Sequence, residues 1–332
     1  MAGGARRRGV RLFVFGLGYS ARAVVERLRP RLEAVWGTTR DPQKLSDIAA
    51  LGVTPILFDG RPEAADSHSG PSYPSPSPSP QGGGELVATL RGATHILVSI
   101  APDETGDPVL RHFGAELAGV KPKSIVYLST VGVYGNHDGA WVDEESACRP
   151  VSKRSRQRLA AEAAWRVFSE QSGVPVAIIR LAGIYGPGRG PFERIRSGTA
   201  RRILKPGQVF NRIHVDDIAA IVEAAFAHLA QGVFNGVDDE PAPPQDVLAY
   251  AADLLGVPQP AEVAYEDADL TPMARSFYGE NKRVRNDRMK RDLGVRLAYP
   301  TYREGLRAVL AAEREQAPAP AAQASAAPVP SN

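Results

Sequence analysis

Short runs rich in β-branched and aromatic residues alternate with helical stretches through the first half of the chain. Between the first two runs, Ala21, Val24 and Leu28 recur at the spacing of one helix face. A chain that alternates in this way buries its strands in a parallel sheet between layers of helices. The pattern therefore predicts a doubly wound α/β fold. The strand-like runs are residues 11–16, 33–40, 53–59, 94–101, 124–130 and 174–182.

Composition and charge argue against several classes of protein. The 332 residues are 43% hydrophobic, which is enough for one large core or two smaller ones. Lys and Arg total 40 against 37 Asp and Glu, a near-balance that does not favour nucleic-acid binding. The sequence has one cysteine, Cys148, and no apolar run of about 18 residues, the length that a membrane span needs. We expect a cytoplasmic protein with no nucleic-acid partner and no membrane span.

Two segments, residues 66–84 and 313–332, are dominated by proline, serine and small residues. Such a composition buries too little apolar surface to offset the entropy of ordering the chain. We predict that both segments are disordered. The first interrupts the strand-helix pattern, so an inserted surface loop is favoured over a proline-rich ligand for another protein.

A glycine-rich turn follows the first predicted strand. Gly16 and Gly18 allow a tight turn in which a pyrophosphate approaches backbone amides at a helix N-terminus, and Ala21 takes the place of the usual third glycine. This arrangement is typical of a Rossmann-type dinucleotide site. Tyr19 and Ser20, which open the helix, are expected to contact the same cofactor.

The end of the second predicted strand favours NADP(H) over NAD(H). It reads Thr38, Thr39, Arg40, where an acidic residue would be expected for a free 2′-hydroxyl. A guanidinium and two hydroxyl groups instead suit a 2′-phosphate. The alternative is an exposed arginine in the turn before Asp41.

Later strands add residues to the same edge of the sheet. Asp59 ends the third strand, and Ser99, Ile100 and Ala101 end the fourth. Ligands of open α/β sheets bind at the carboxyl ends of the strands, so these four residues are candidate cofactor contacts.

Three further stretches, residues 127–135, 180–188 and 212–219, resemble the extended short-chain dehydrogenase/reductases, the family of nucleotide-sugar epimerases and dehydratases. The likeness covers roughly residues 10–312 without the inserted loop, and its start is most similar to the atypical branch that includes the YeeZ-like proteins. It implies a Rossmann domain over residues 10–180 and a smaller C-terminal substrate lobe over 181–312, with 211–235 returning to the Rossmann domain.

The resemblance also implies roles for single residues. Asp59 would face the adenine, and residues 99–101 would line the cofactor. Thr130 falls where the family places a Ser or Thr that hydrogen-bonds the reacting carbonyl or hydroxyl; the alternative is an ordinary hydroxyl at a strand end.

Residues 152–162 depart from the family pattern of a tyrosine, a lysine four positions later and then a glutamate. Counting back from Glu162 places Arg158 at the lysine position and Arg154 at the tyrosine position. Arg158 is expected to bind the nicotinamide ribose. A guanidinium stays protonated near neutral pH, so Arg154 is not an acid/base group.

Other residues are weaker candidates. Tyr134 is the first alternative proton source, and Tyr185 the second; each is also compatible with a packing role. Tyr185 and His214 are candidate substrate contacts, whereas Asp216 or Asp217 is expected to cap the following helix. His137 and the acidic residues that follow it lack a fixed ligand spacing, so we expect no metal site.

Two functions remain open at this point. One is an NAD(P)-dependent oxidoreductase or epimerase that acts on a small carbonyl, hydroxyl or sugar-nucleotide-like substrate. The other is an NADP(H)-binding regulatory protein without turnover. Gly183 stands where many nucleotide-sugar members carry an asparagine, which argues against that substrate class. A homodimer is one option for the assembly, and the sequence does not fix it.

Overall fold

The computed structural model describes residues 9–60 and 83–316. Nearly all of the predicted loop at 66–84 lies outside the described residues, as does the predicted tail from residue 317 onward. The description resumes with helix at residue 83, and the last helix continues to residue 316, four residues into the predicted tail.

The described elements are numbered along the chain. The strands are β1 Val10–Phe15, β2 Leu32–Thr39, β3 Thr54–Leu57, β4 His95–Val98, β5 Ser124–Thr130, β6 Trp141–Val142, β7 Val176–Leu181, β8 Gly183–Tyr185, β9 Arg202–Leu204, β10 Arg212–His214, β11 Gly232–Gly236, β12 Glu262–Ala264 and β13 Arg283–Val284. The helices are α1 Tyr19–Leu28, α2 Leu45–Ala50, α3 Gly83–Gly92, α4 Pro108–Val120, α5 Lys153–Ser172, α6 Phe192–Arg196, α7 Val215–Ala227, α8 Pro244–Leu255, α9 Pro272–Tyr278, α10 Asp287–Leu293 and α11 Tyr302–Gln316.

Seven strands form one parallel sheet in the order β11-β7-β5-β4-β1-β2-β3. The six predicted strands are all present, and β11 adds a seventh beside β7. The strand order reverses between β1 and β4, the point where ligands of such sheets bind. The Rossmann-type α/β fold is confirmed.

Hydrophobic clusters cover both faces of this sheet. On one face, α1 and α7 pack together against β1, and buried Val24 and Val222 belong to the same cluster. On the other face, α4 and α5 cover β4 and β5, with Trp165 fully buried. The central strands are mostly apolar because both faces of the sheet are buried.

A third hydrophobic cluster lies in the C-terminal part of the chain. It joins α6, α8 and α11 and includes Phe192, Leu248 and Leu306. Small two-stranded pairs, β10 with β8 and β12 with β9, border it. This second lobe stands next to the carboxyl edge of the main sheet, because β8 follows β7 directly.

Candidate functional site

The glycine turn connects β1 to α1, and its own amides are hydrogen-bonded within the protein. Gly16 has a φ of +86°, and its N–H donates to Thr38 Oγ1 at 2.8 Å. Gly18 begins α1, where no side chain caps the helix and the first turn holds no acidic residue. A Cβ on Gly18 would meet no atom within 4 Å. This open, uncapped N-terminus fits a pyrophosphate.

The residues that follow β4 lie against this turn, because β4 pairs with β1. A Cβ on Gly16 would lie 2.5 Å from Ile100 Cγ2, so only glycine fits there without a shift. Ser99 N–H donates to Phe15 O at 2.8 Å, which places residues 99–101 beside the turn. The structure therefore brings the predicted residues of β1 and β4 together.

Tyr19 and Ser20 point in different directions. The Tyr19 hydroxyl donates to Pro187 O at 3.0 Å, in the loop that follows β8, and thus bridges the turn to the second lobe. Burial raises the pKa of this hydroxyl, against the opposing effect of Arg189. Ser20 is buried against the sheet. Of the two, Tyr19 borders the cleft, by which we mean the space between the carboxyl edge of the main sheet and the second lobe.

At the end of β2, the three predicted residues have different tasks. Thr38 is buried and accepts the Gly16 N–H, so its side chain holds the glycine turn and is not available to a 2′-phosphate. Thr39 Oγ1 accepts the Asp41 N–H at 3.1 Å. Arg40 is exposed and has no ion pair within the described ranges. The exposed Asp59 follows the neighbouring strand β3.

Arg158 joins the ends of two central strands. Its Nη1 donates to Ile100 O at 3.2 Å after β4, and to Leu128 O and the Tyr127 hydroxyl of β5, each at 3.0 Å. Its Nε and Nη2 have no hydrogen-bond acceptor in the described part of the protein. Arg158, the residue predicted to bind the ribose, thus lies at the edge where the cofactor is expected. Its Nε and Nη2 remain available as hydrogen-bond donors.

Thr130 lies at the same edge. It caps the helical turn of residues 131–134, where its Oγ1 accepts the Gly132 N–H at 3.1 Å, and its side chain is half-buried. The first turn of α5 packs on this turn, since a Cβ on Gly132 would lie 2.9 Å from Ser155 Oγ. The Thr130 turn and the start of α5, the helix that carries Arg158, therefore lie side by side.

Arg154 is exposed at the mouth of this cleft. Its Nη1 lies 3.9 Å from the Met273 sulfur atom of α9, so the side chain faces the second lobe. Of the other cations at this helix start, Lys153 pairs with Glu104, and Arg156 donates to Val151 O at 2.5 Å.

Tyr134, the first alternative proton source, is enclosed in the core. Its side chain is 0% exposed, and its hydroxyl donates to Asn235 Oδ1 at 2.8 Å. Burial raises its pKa to about 12, although Arg180 lies 4.8 Å from the ring centre. A phenol held in this way fits the packing role that the sequence left open, because the turn after Thr130 folds inward. Its role as a proton source stays a prediction.

Tyr185 is a core residue of the second lobe. It is 7% exposed, its hydroxyl lies 3.5 Å from Thr301 O, and burial raises its pKa. This position fits the packing role that the sequence left open, because β8 directs the ring into the cluster beneath α11. The proton-donor and substrate roles of Tyr185 stay predictions.

His214 is the cap of α7. It is 1% exposed, its Nδ1 accepts the Asp216 N–H at 3.2 Å, and burial lowers its pKa. Asp217, an expected cap, instead accepts the N–H groups of Ala298 and Tyr299 at 2.7 and 3.1 Å. The expected aspartate cap is wrong, because His214 caps the helix. The expected substrate contact at His214 stays a prediction.

One buried ion pair beneath the site was not predicted. Glu162 and Arg180 are 0% and 3% exposed and lie 2.8 Å apart. Ser129, next to Thr130, donates to Glu162 at 2.5 Å. An arginine inside the apolar run 174–182 was the available sequence signal, because a buried charge needs a partner.

A polar pocket was also missed. It has a volume of about 500 Å³ and lies between the loop after the Thr130 turn and two loops of the second lobe. Its lining includes Asn136, Lys205, Gln208, Tyr278, Asn281 and Arg283. No motif marks it, because its residues come from three distant segments.

Within residues 9–60 and 83–316, no three His, Cys, Asp or Glu side chains gather as a metal would require. In the same ranges, no helix is long and apolar enough to cross a membrane.

Comparison with known proteins places this site in a family. The model of the NAD dependent epimerase/dehydratase family matches residues 109–236. A solved structure of a functionally unknown conserved protein from Silicibacter pomeroyi DSS is 48% identical, with a TM-score of 0.79, and the match covers 92% of this chain and 99% of that one. Residues 109–236 of this chain therefore form a domain of the NAD dependent epimerase/dehydratase family. The YeeZ-like branch stays a prediction.

Other solved structures are more distant in sequence. A putative NAD-dependent epimerase/dehydratase from Methylobacillus flagellatus is 25% identical, with a TM-score of 0.66 over 92% of this chain and 99% of that one. The Bordetella bronchiseptica enzyme WbmG in complex with NAD shares the fold, with a TM-score of 0.69 at 18% identity over 94% of this chain and 96% of that one.

A 3-diazoavenalumate denitrifying reductase of a Streptomyces species is 32% identical over 142 residues, which are 39% of this chain and 45% of the reductase. This chain thus spans less than half the length of the curated relatives it matches.

Proposed function

We propose that this protein binds NADP(H) at the carboxyl edge of its central sheet and transfers hydride between the cofactor and a carbonyl or hydroxyl group of a small substrate. One observation carries the proposal: the uncapped N-terminus of α1 at Gly18 shares one edge of the sheet with Thr130 and Arg158. The family description and the NAD complex of the WbmG neighbour support a nicotinamide cofactor.

The cofactor would be held along this edge by groups that are open in the protein. The amides in the first turn of α1, after its N-cap Gly18, face the pyrophosphate, and Arg40 provides an unpaired guanidinium for a 2′-phosphate. Asp59 stands near the adenine end. Residues 99–101 line the cofactor's path, and Arg158 offers its Nε and Nη2 to the nicotinamide ribose.

When bound, the nicotinamide ring supplies or accepts the hydride. The Thr130 hydroxyl accepts the Gly132 N–H and keeps its own proton for a hydrogen bond to the substrate oxygen. Neither Tyr134 nor Tyr185 reaches the cleft, and Arg154 stays protonated. We therefore assign the exchanged proton to water, which has access at the exposed Arg154.

The name of the Streptomyces relative, a reductase, favours net reduction over epimerisation for this chain. The resemblance covers only part of that protein, so the substrate does not transfer with it.

Stereospecific transfer of deuterium tests the proposal. NADPH labelled with deuterium at C4 is incubated with the wild type and a panel of aldehydes, ketones and oxo acids, and products are read by mass spectrometry. We expect transfer from one face of the ring, and a loss of about tenfold or more in Thr130→Val, in line with one lost hydrogen bond to developing charge.

Arg156→Ala is the control variant. Arg156 lies near the start of α5, next to the Thr130 turn, but its side chain donates to Val151 O. Binding of NADPH without transfer to any compound would contradict the proposal and favour a regulatory protein without turnover.

A further inference from the structure

We propose that Arg154 binds a carboxylate group attached to the reacting carbon of the substrate, so that the substrate is a 2-oxo acid or the matching 2-hydroxy acid. This inference rests on the proposed function, because it names the substrate class for the same hydride transfer. It also gives a role to the cationic segment at the start of α5, which the proposed cofactor site uses through Arg158.

Arg154 is exposed and has no partner in the protein that balances its charge. Among the described residues, it contacts the Met273 sulfur atom, 3.9 Å from Nη1, and forms no ion pair. A thioether is a weak acceptor without charge. The position is also unfavourable for α5 itself, because the helix dipole repels a positive charge in the first turn. A residue that works against its local structure and lacks a partner is expected where function requires it.

The neighbouring cations are engaged with the protein. Lys153 pairs with Glu104, and Arg156 donates to Val151 O at 2.5 Å. These two residues are explained by the contacts that they make. Arg154 differs from both, since its guanidinium group remains free to bind a ligand.

Arg154 lies close to the group that is proposed to bind the substrate oxygen. Four residues separate it from Arg158, so both are on the same side of α5, one helical turn apart. The first turn of α5 packs directly on the Thr130 turn, where a Cβ on Gly132 would lie 2.9 Å from Ser155 Oγ. A substrate whose carbonyl oxygen accepts a hydrogen bond from Thr130 therefore has Arg154 beside its reacting carbon. The anionic group that Arg154 binds is then next to the carbonyl.

A carboxylate suits this position in shape and in reactivity. Its planar oxygens accept two parallel hydrogen bonds from the planar guanidinium group. In the reduction, the carbonyl carbon accepts a hydride with its two electrons from C4 of NADPH, and the π pair of the C=O bond moves onto oxygen. The alkoxide then takes a proton from water, which leaves hydroxide, NADP⁺ and the 2-hydroxy acid. The nearby guanidinium also stabilises the negative charge that develops on that oxygen.

Matched pairs of a 2-oxo acid and its methyl ester test the inference, since the ester keeps the carbonyl and loses the charge. The pairs are pyruvate with methyl pyruvate, and phenylpyruvate with methyl phenylpyruvate. We expect kcat/KM for deuterium transfer from labelled NADPH to be about tenfold or more higher for the acids in the wild type. Arg154→Gln should lower it about 10- to 100-fold for the acids and change it by less than about twofold for the esters.

Two further variants separate a specific contact from a general effect of charge. Arg156→Gln removes a cation of the same helix start that donates to Val151 O, so the wild-type preference for acids should remain. Arg154→Lys keeps the charge without the planar fork and should give an intermediate preference. Melting temperatures show that each variant is folded.

Binding of oxamate gives a readout that does not depend on turnover. Oxamate has the carboxylate and the adjacent carbonyl of a 2-oxo acid, but its amide carbonyl does not accept hydride. Calorimetry with the NADPH-saturated protein should show that oxamate binds the wild type and Arg156→Gln equally, and Arg154→Gln about tenfold more weakly.

Two results would overturn the inference. One is equal reduction of the acids and their esters by the wild type, and the other is oxamate that does not bind or that binds the wild type and Arg154→Gln equally. Absence of transfer to every compound contradicts the proposed function separately, and the oxamate series then decides the role of Arg154. If NADPH itself does not bind, the same series on the cofactor-free protein decides it.

Discussion

The carboxyl edge of the central sheet and the core of the second lobe both hold residues that the sequence singled out as functional, but they use them differently. At the sheet edge, the N-terminus of α1 has no side-chain cap, Arg40 is exposed, and Arg158 uses only its Nη1 in hydrogen bonds among the described residues. In the second lobe, Tyr185 and His214 are enclosed and their polar groups face inward. A motif therefore identifies a functional site when the geometry of the site is set by the local backbone. When the burial of a residue depends on a distant segment, a motif does not show whether the residue is functional or only packed.

The largest effect is expected from the ion pair beneath the sheet edge. Glu162→Ala leaves the buried Arg180 without its carboxylate, which should lower the free energy of unfolding by about 3–5 kcal/mol. Glu170→Ala, an exposed position on the same helix, should change it by less than about 0.5 kcal/mol. Urea denaturation measures both. Equal effects would show that the edge does not depend on this pair.

The two glycines of the turn should separate folding from binding. Gly16→Ala combines a φ of +86° with a contact to Ile100, so the free energy of unfolding should fall by about 1–3 kcal/mol. Gly18→Ala adds a methyl group in open space, so stability should hold while NADPH affinity falls about tenfold. Thermal unfolding and calorimetry read the two effects. Unchanged affinity in Gly18→Ala would place the pyrophosphate elsewhere.

A variant of Arg40 tests the sheet edge at the adenosine end of the cofactor. Arg40→Ala removes one charge-assisted contact worth about 1.5–3 kcal/mol, so NADPH should bind roughly ten- to a hundredfold more weakly. NADH has no 2′-phosphate, and its affinity should not change. Equal affinities of the wild type for the two cofactors, in parallel titrations, would contradict the preference for NADP(H).

The smallest effects are expected from the enclosed tyrosines. Tyr134→Phe loses a 2.8 Å hydrogen bond and leaves Asn235 unpaired on one side, which should cost about 1–2 kcal/mol of stability. Tyr185→Phe loses a contact of 3.5 Å and should cost less than about 1 kcal/mol. Deuterium transfer should be unchanged in both. A large loss of deuterium transfer in either variant would show that this tyrosine takes part in the reaction. It would also contradict the contrast between the two regions.

The sheet was predictable because its strands are short apolar runs between helices, and the switch point follows from strand order. Gly16 and Ile100 were likewise placed by the rule that strand ends share one edge. Three features depended on contacts between distant segments: the inward turn of Tyr134 toward Asn235, the capping role of His214, and the pocket around Lys205 and Arg283. No local pattern encodes these contacts. Thr38 is intermediate, because its position was right but its hydroxyl serves the turn.

A crystal structure of the protein with NADP⁺ is the most direct test of the cofactor site. We predict a pyrophosphate at the amides of the first turn of α1, a 2′-phosphate against Arg40, and ribose hydroxyls within hydrogen-bond distance of Arg158. A dinucleotide bound away from the α1 N-terminus, or a ribose with no contact to Arg158, would contradict the account.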